Sequence, residues 1–173
     1  GESPRLAFDT LINPARPMAA TEIHGITDAD VSDAPRFQAI AGELLAAIEG
    51  CVIAAYNVYF DIKFLDFELG NSGVAHAPPH FCLMYLRTML GLGARCKLSE
   101  ACKHHGIPYA ESHVAAHDAL ASGQLFCTYR DEVRRKNIAT YDELAALRAY
   151  KFNSSFTCDP FPGPSRFGLG RLG

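Results

Sequence analysis

Apolar positions along the chain fall into two patterns, one of short continuous runs and one of helical recurrence. Residues 6–12, LAFDTLI, form an apolar run between Pro4 and the Asn13-Pro14 turn signal, which predicts a strand. A long loop, NPARPMAATEIHGITDADVSDAP, follows. Phe37, Ile40, Ala41, Leu44, Leu45 and Ile48 then recur at helical spacing, with Ser32 or Asp33 able to cap, Pro35 suited to a first turn and Gly50 as the stop. CVIAAY, residues 51–56, is the continuous apolar run of a strand covered on both faces. In NVYFDIKFLDFELGN the residues Phe60, Phe64 and Phe67, with Ile62 and Leu65, predict a helix ending at Gly70-Asn71. After Pro78-Pro79, FCLMYL (81–86) reads as a strand passing into a helix. Leu98, Ala101, Cys102 and His105 line one face of a short helix stopped by Gly106 and Pro108, and a longer helix runs from SHVAAHDAL to about Arg135. Thr140 with Glu143 makes a capping-box pattern for a last helix carrying Leu144 and Leu147.

Strands alternating with helices predict an α/β layer fold, in which sites gather where strands end and helices begin. The 173 residues suffice for one domain with a core. From Lys151 the composition turns to Pro, Gly, Ser and Arg, so 1–150 is expected to be the domain and 151–173 a tail or linker. No repeat is present. A formal charge of -3 argues against adhesion to nucleic acid through a bulk positive field. The six cysteines include no Cys-x-x-Cys pair and several lie in apolar runs, which favours reduced, buried thiols over a disulfide framework. With no apolar run near the ~20 residues of a membrane span and no signal pattern in GESPR, the expectation is a cytoplasmic protein that does not contact a membrane.

Two stretches carry candidate chemistry. In AAYNVYFDIKFL, Asn57 and Asp61 are four residues apart, so on a helix they project within roughly 40° of each other at the end of a buried strand. The carboxylate can ligate a hard cation and the amide can fix a substrate; equally, Asn57 can cap the helix and Asp61 favour its positive end. In SHVAAHDALASGQLF, Asp118 sits among alanines that permit close approach, and His113 precedes it by five residues. On one helix the two would diverge by roughly 140°, so they face one cleft only if His113 stands outside the regular turns. A histidine beside a metal-binding aspartate suits deprotonation of a metal-acidified water; the plain alternative is a surface histidine and a helix-start aspartate.

Taken in order, these stretches resemble the DEDDh-type, DnaQ-like 3′-to-5′ exonucleases, which include the proofreading subunit of bacterial DNA polymerase III and ribonuclease T. AYNVYFD is similar to their second motif, His-Asn-x-x-Phe-Asp, with Tyr56 in place of the histidine, and HVAAHD to their third, His-x-Ala-x-x-Asp. The Asn-Pro turn, the Ile-His-Gly-Ile-Thr loop and KLSEACKHHGIP agree as well, so the likeness runs from about Leu6 to Tyr129. The resemblance implies a ribonuclease H-like fold, a mixed sheet flanked by helices. It implies Asp61 and Asp118 as metal ligands, His113 as general base, and Ile23, His24, Asn57 and Phe60 around the terminal nucleotide. Two divalent cations, Mg²⁺ or Mn²⁺, would serve hydrolysis at a single-stranded DNA or RNA 3′ end, with a DNA polymerase or another replication or repair protein as partner. The family's first motif, Asp-x-Glu, is not found: Asp9 in AFDT imitates it, but position 11 is Leu and TLINP marks the later strand. The first two strands of the fold are thus expected to be lacking, and the chain by itself to be inactive.

Two other readings stay open. Cys102, His104, His105, His113 and His117 cluster in sequence, and the i, i+4 spacing of His113 and His117 suits a structural zinc. Alternatively the chain keeps the fold and has lost the chemistry, binding nucleic-acid ends or a protein only.

Overall fold

The computed structural model describes residues 3–74, 80–109, 114–140, 143 and 147. Two short parallel strands form its centre. β1, Ile53–Ala55, pairs with β2, His80–Cys82, in the register Ile53 to His80 and Ala55 to Cys82. Alternation along β1 divides its neighbours between two layers, as the two-residue period of a strand requires. Val52, Ala54 and Tyr56 pack with Phe81, Leu125 and Tyr129, whereas Ile53 and Ala55 pack with Val58, Ile62, Cys82 and Tyr85. Each face of the small sheet is therefore covered, which explains why CVIAAY reads as a continuous apolar run.

Seven helices are described. α1, Thr21–His24, and α2, Asp28–Val31, are single turns inside the expected loop. The polar stretch TDADV gives no apolar period to announce α2, yet Thr27 and Asp30 close a complete capping box there. α3, Phe37–Ile48, ends before Gly50 as expected but begins later than expected: neither Ser32 nor Asp33 caps it and Pro35 stands before its first turn, because Arg36 holds the cap position, where it makes no side-chain capping bond. α4, Val58–Asn71, follows β1 directly and crosses to β2. α5, Leu83–Met89, continues straight out of β2; α6, Leu98–His104, and α7, Ala115–Arg135, complete the order. The Thr140–Glu143 capping box forms, with Thr140 Oγ1 accepting from the Glu143 amide and the Glu143 carboxylate accepting from the amides of Ala139 and Thr140. Most of the helix it was expected to start, and the tail from 151, lie outside the described residues.

The expected mixed sheet is not formed by the described residues. Residues 6–12 join neither strand. An apolar run becomes a strand only when it lies alongside a ladder partner, and this run lies elsewhere. Phe8 and Ile12 instead pack on the cluster of Phe37, Ile40, Ala41 and Leu69, while Leu6 and Leu11 are exposed. Upstream of them Pro4 leans on α7: a Cβ added to Gly123 would stand 2.7 Å from Pro4 Cβ. The 3–12 segment thus spans from α7 to the α3 cluster.

α4 shows a second difference. Its three phenylalanines, expected to signal the buried stripe, point outward: Phe60 is 63% exposed, Phe64 52% and Phe67 64%. Its core face is Val58, Ile62 and Leu69. The helix carries two apolar stripes, and the one that matches the covered sheet has the smaller, branched side chains.

Candidate functional site

Asn57 is the hinge between β1 and α4. It adopts a left-handed conformation (φ 65°, ψ 47°) and its side chain makes no capping bond. Asparagine tolerates this region better than most residues, so the chain turns sharply out of the strand while the amide stays uncommitted to the helix. The capping role open to Asn57 is therefore not used, although it holds the cap position. Asp61 lies in the first turn of α4, where the helix dipole favours negative charge. Its carboxyl reaches solvent, yet the protein crowded around it disfavours the charged form, and this raises its pKa above the ordinary value; its own backbone amide acts weakly the other way. No cation among the described residues lies at ion-pair distance from it.

Asp118 occupies the first turn of α7 and accepts a 2.7 Å hydrogen bond from Tyr109 Oη on Oδ1, a bond in which its other oxygen takes no part. It shares a neighbourhood with Cys102, whose thiol is pushed up by burial first and then by the nearby Asp118 and Cys96. α4 and α7 both pack on β1, so one strand carries the two helices whose first turns bear the acids. No three His, Cys, Asp or Glu side chains among the described residues stand close enough to hold a metal ion together. The acids present suit a hard cation in type, but two of them do not make a two-metal cage. His113 lies outside the described residues.

The remaining expected residues are dispersed. His24 is committed locally: its Nδ1 accepts from the Ile26 amide at 3.0 Å, which leaves Nε2 as the donor to the Ala19 carbonyl at 2.9 Å. This pins the 19–26 turn. Ile23 is 55% exposed beside it. Phe60 meets Phe64 at a tilt of 60° with centroids 4.9 Å apart. A cleft of about 800 Å³ at the end of β1 is lined by Tyr56, Asn57, Met84, Ala94, Arg95, Cys96, Lys97, Leu98 and Glu100; Ile23, His24 and Phe60 are not on its walls. Asp9 is exposed and outside any strand.

Two arrangements were not legible. Tyr56, where the resembling motif has histidine, donates from Oη to the Cys96 carbonyl at 2.8 Å and lies 3.5 Å from Cys96 Sγ. Burial, then this contact, holds its phenol well above the ordinary range. The bond ties the α5–α6 connection to the strand end. Arg87, almost fully buried, donates to the Ala94 carbonyl (3.2 Å), His105 Nε2 (3.1 Å) and His104 Nδ1 (2.8 Å). An arginine in the apolar run CLMYLRTML is the one sequence signal for it. Because guanidinium only donates, both rings must present lone pairs to a cation, which is hostile to zinc at the same atoms. Gly93, at φ 128°, makes room for it: an added Cβ would stand 2.5 Å from Arg87 Nη2. Among the described residues Cys51, Cys82, Cys96, Cys102 and Cys127 are free thiols; Cys82 and Cys102 are buried as expected, whereas Cys51 is exposed.

A family model described as Exonuclease, of the ribonuclease T type, matches residues 2–126. The chain belongs to this exonuclease family. Its DnaQ-like character agrees with its relatives. A DNA polymerase III subunit epsilon-like protein of Rhodobacter capsulatus is 30% identical over 139 residues, covering 78% of this chain and 20% of that protein. The PolC-type DNA polymerase III of Streptococcus pneumoniae is 31% identical over 144 residues, 81% of this chain and 10% of the relative. That of Lactococcus lactis is 27% identical over 154 residues, 83% and 9%. The chain spans a fifth or less of the length of these relatives. Among the described residues of this exonuclease-family chain, no helix is long and apolar enough to cross a membrane.

Proposed function

We propose that the chain forms part of a 3′-to-5′ exonuclease of the DEDDh type, acting on single-stranded DNA or RNA ends. The observation that supports this most is the position of Asp61 and Asp118 in the first turns of two helices that pack on the same strand. In this reading the two carboxylates hold divalent cations. Mg²⁺ or Mn²⁺, when bound, supplies acidified water and offsets charge on the scissile phosphate. His113 accepts the proton of the attacking water. Asn57, with its amide not used as a cap, orients the terminal nucleotide; Ile23, His24 and Phe60 are its further contacts, the backbone and exposed surface of His24 serving since its ring is engaged. Tyr109 orients Asp118 through its 2.7 Å bond. A DNA polymerase or another replication or repair protein is the proposed partner.

Two acids leave up to four positive charges poorly offset, so full activity calls for an additional strand bearing Asp-x-Glu. The test uses 3′-labelled single strands in Mn²⁺. Residues 1–173 alone are expected to be inactive, and the same chain supplied with such a strand to cleave. Asp118→Ala in the completed form should abolish cleavage while the fold persists, and His113→Ala should cost roughly 10²- to 10⁴-fold with metal affinity kept. Cleavage at the parental rate by Asp118→Ala would refute the assignment. A second reading, an end-binding module without chemistry, draws on Tyr56, which spends its hydroxyl on a structural bond. Tight binding without cleavage by the completed form would favour it.

A further inference from the structure

The cleft at the end of β1 has two unlike walls. One is the strand end, Tyr56 and Asn57; facing it are the α5–α6 connection and the first residue of α6, residues 94–98, with Arg95 and Lys97. Two bonds hold this second wall in place. Tyr56 Oη grips the Cys96 carbonyl, and Arg95 Nη1 donates to Tyr85 Oη at 3.1 Å while its guanidinium lies 5.4 Å from the centre of the Tyr85 ring. Cys96 turns inward to Tyr56, and the residues on either side of it are exposed cations. The arginines of α7 are ion-paired, Arg130, Arg134 and Arg135 all meeting carboxylates on the same helix. Among the described residues Arg95 and Lys97 meet none. Glu100 is the single acid on the cleft walls, against these two cations.

We propose that this cleft is a phosphodiester groove, in which Arg95 and Lys97 hold the backbone of a single strand whose end reaches Asn57. The assignment rests on the exonuclease reading for the direction of the strand, and on the cleft alone for the binding. A preorganised guanidinium with free donors suits a phosphate oxygen pair, and a flexible lysine two residues on suits the next phosphate as a point charge. Tyr56 acquires a purpose here: it fixes the distance between the cationic wall and Asn57. The groove also reconciles a mildly acidic chain with a polyanionic ligand, since the required field is local.

The test is fluorescence anisotropy of a 5′-labelled short oligonucleotide, DNA and RNA in parallel, with residues 1–173 in EDTA, where hydrolysis is excluded, over a range of salt. The parent should bind, and Arg95→Ala with Lys97→Ala should weaken binding roughly tenfold or more and flatten the log-log salt slope by about 0.7 for each phosphate no longer held. Arg95→Lys should recover part of the affinity. A neutral methylphosphonate strand should bind weakly and equally to parent and double variant. Parental affinity and slope in the double variant, or no binding by the parent, would overturn the proposal. The two ideas separate cleanly: weakened binding in the double variant without cleavage by any form keeps the groove and removes the exonuclease, whereas Asp118-dependent cleavage with an unaltered double variant does the reverse.

Discussion

His105 shows how one side chain sets a pH limit on the fold. Its pKa is lowered by burial first, then by Arg87 and His104, because the ring must stay neutral to accept from the guanidinium. The unfolded chain therefore binds a proton that the folded chain refuses. Stability is complete above the ordinary histidine value of ~6.5 and is lost as pH falls below it toward the lowered value. The urea midpoint should drop between about pH 7.5 and about pH 5.5, and His105→Gln, whose carbonyl still accepts, should flatten that drop. An unchanged pH slope in the variant would exclude His105 as its source. Asp61 has the opposite sign. With a raised carboxyl pKa, the folded chain keeps a proton that the unfolded chain has released, and above the raised value it carries the charge at a cost. Asp61→Asn should raise the metal-free urea midpoint at neutral pH, and this gain should vanish below the ordinary aspartate range of ~3.9. A lower midpoint at neutral pH would mean that the carboxylate is stabilised by its surroundings. Both shifts come from neighbours brought up by the fold, so neither could be read from the residues in isolation, whereas the identity of Asp61 and Asp118 as helix-start acids could.

At the scale of elements, α4 separates what periodicity reveals from what it conceals. The helix was legible because apolar residues recur along it on more than one face. Which face is buried was not, since Phe60, Phe64 and Phe67 form the more hydrophobic stripe while Val58, Ile62 and Leu69 meet the sheet and α3. Ile62→Ala should cost roughly 2–5 kcal/mol and Phe67→Ser no more than about 0.5 kcal/mol, both by urea titration. The reverse ranking would place the phenylalanine stripe in the core. The core residues of α3 and the break between α6 and Pro108 were legible for local reasons, spacing and Gly106 at φ 66°, whereas the start of α3 was not. Strand 6–12 failed for a non-local one: its fate depends on whether another strand lies alongside. The same holds for the site. Asn57, Asp61 and Asp118 sit on elements whose starts local signals mark, while the groove wall at 94–98 is created by tertiary bonds from Tyr56 and Tyr85.

Over the whole molecule, the sheet and its helices enclose one side well and leave another bare. β2 is buried at every position and β1 only half-buried, and the exposed Phe60, Phe64 and Phe67 lie on the helix that leaves β1. An added strand would have backbone partners on the free edge of β1. The 3–12 segment is the element that ties this layered body together at its surface, through Pro4 on Gly123 and through Phe8 and Ile12 on the α3 cluster. Its hold on α7 depends on the absence of a side chain at position 123. Gly123→Ala should strengthen α7 by about 1 kcal/mol of helix preference, yet the new methyl must push Pro4 away. Global and local stability should then part company: denaturant resistance holding or rising, while amide hydrogen exchange in residues 5–12 speeds up and α7 amides exchange more slowly. Exchange in 5–12 that stays at the parental rate would show that this segment is retained by its α3 contacts alone. The contact thus works as a clasp with its own opening equilibrium, one that a single methyl group can tune without loosening the body it fastens.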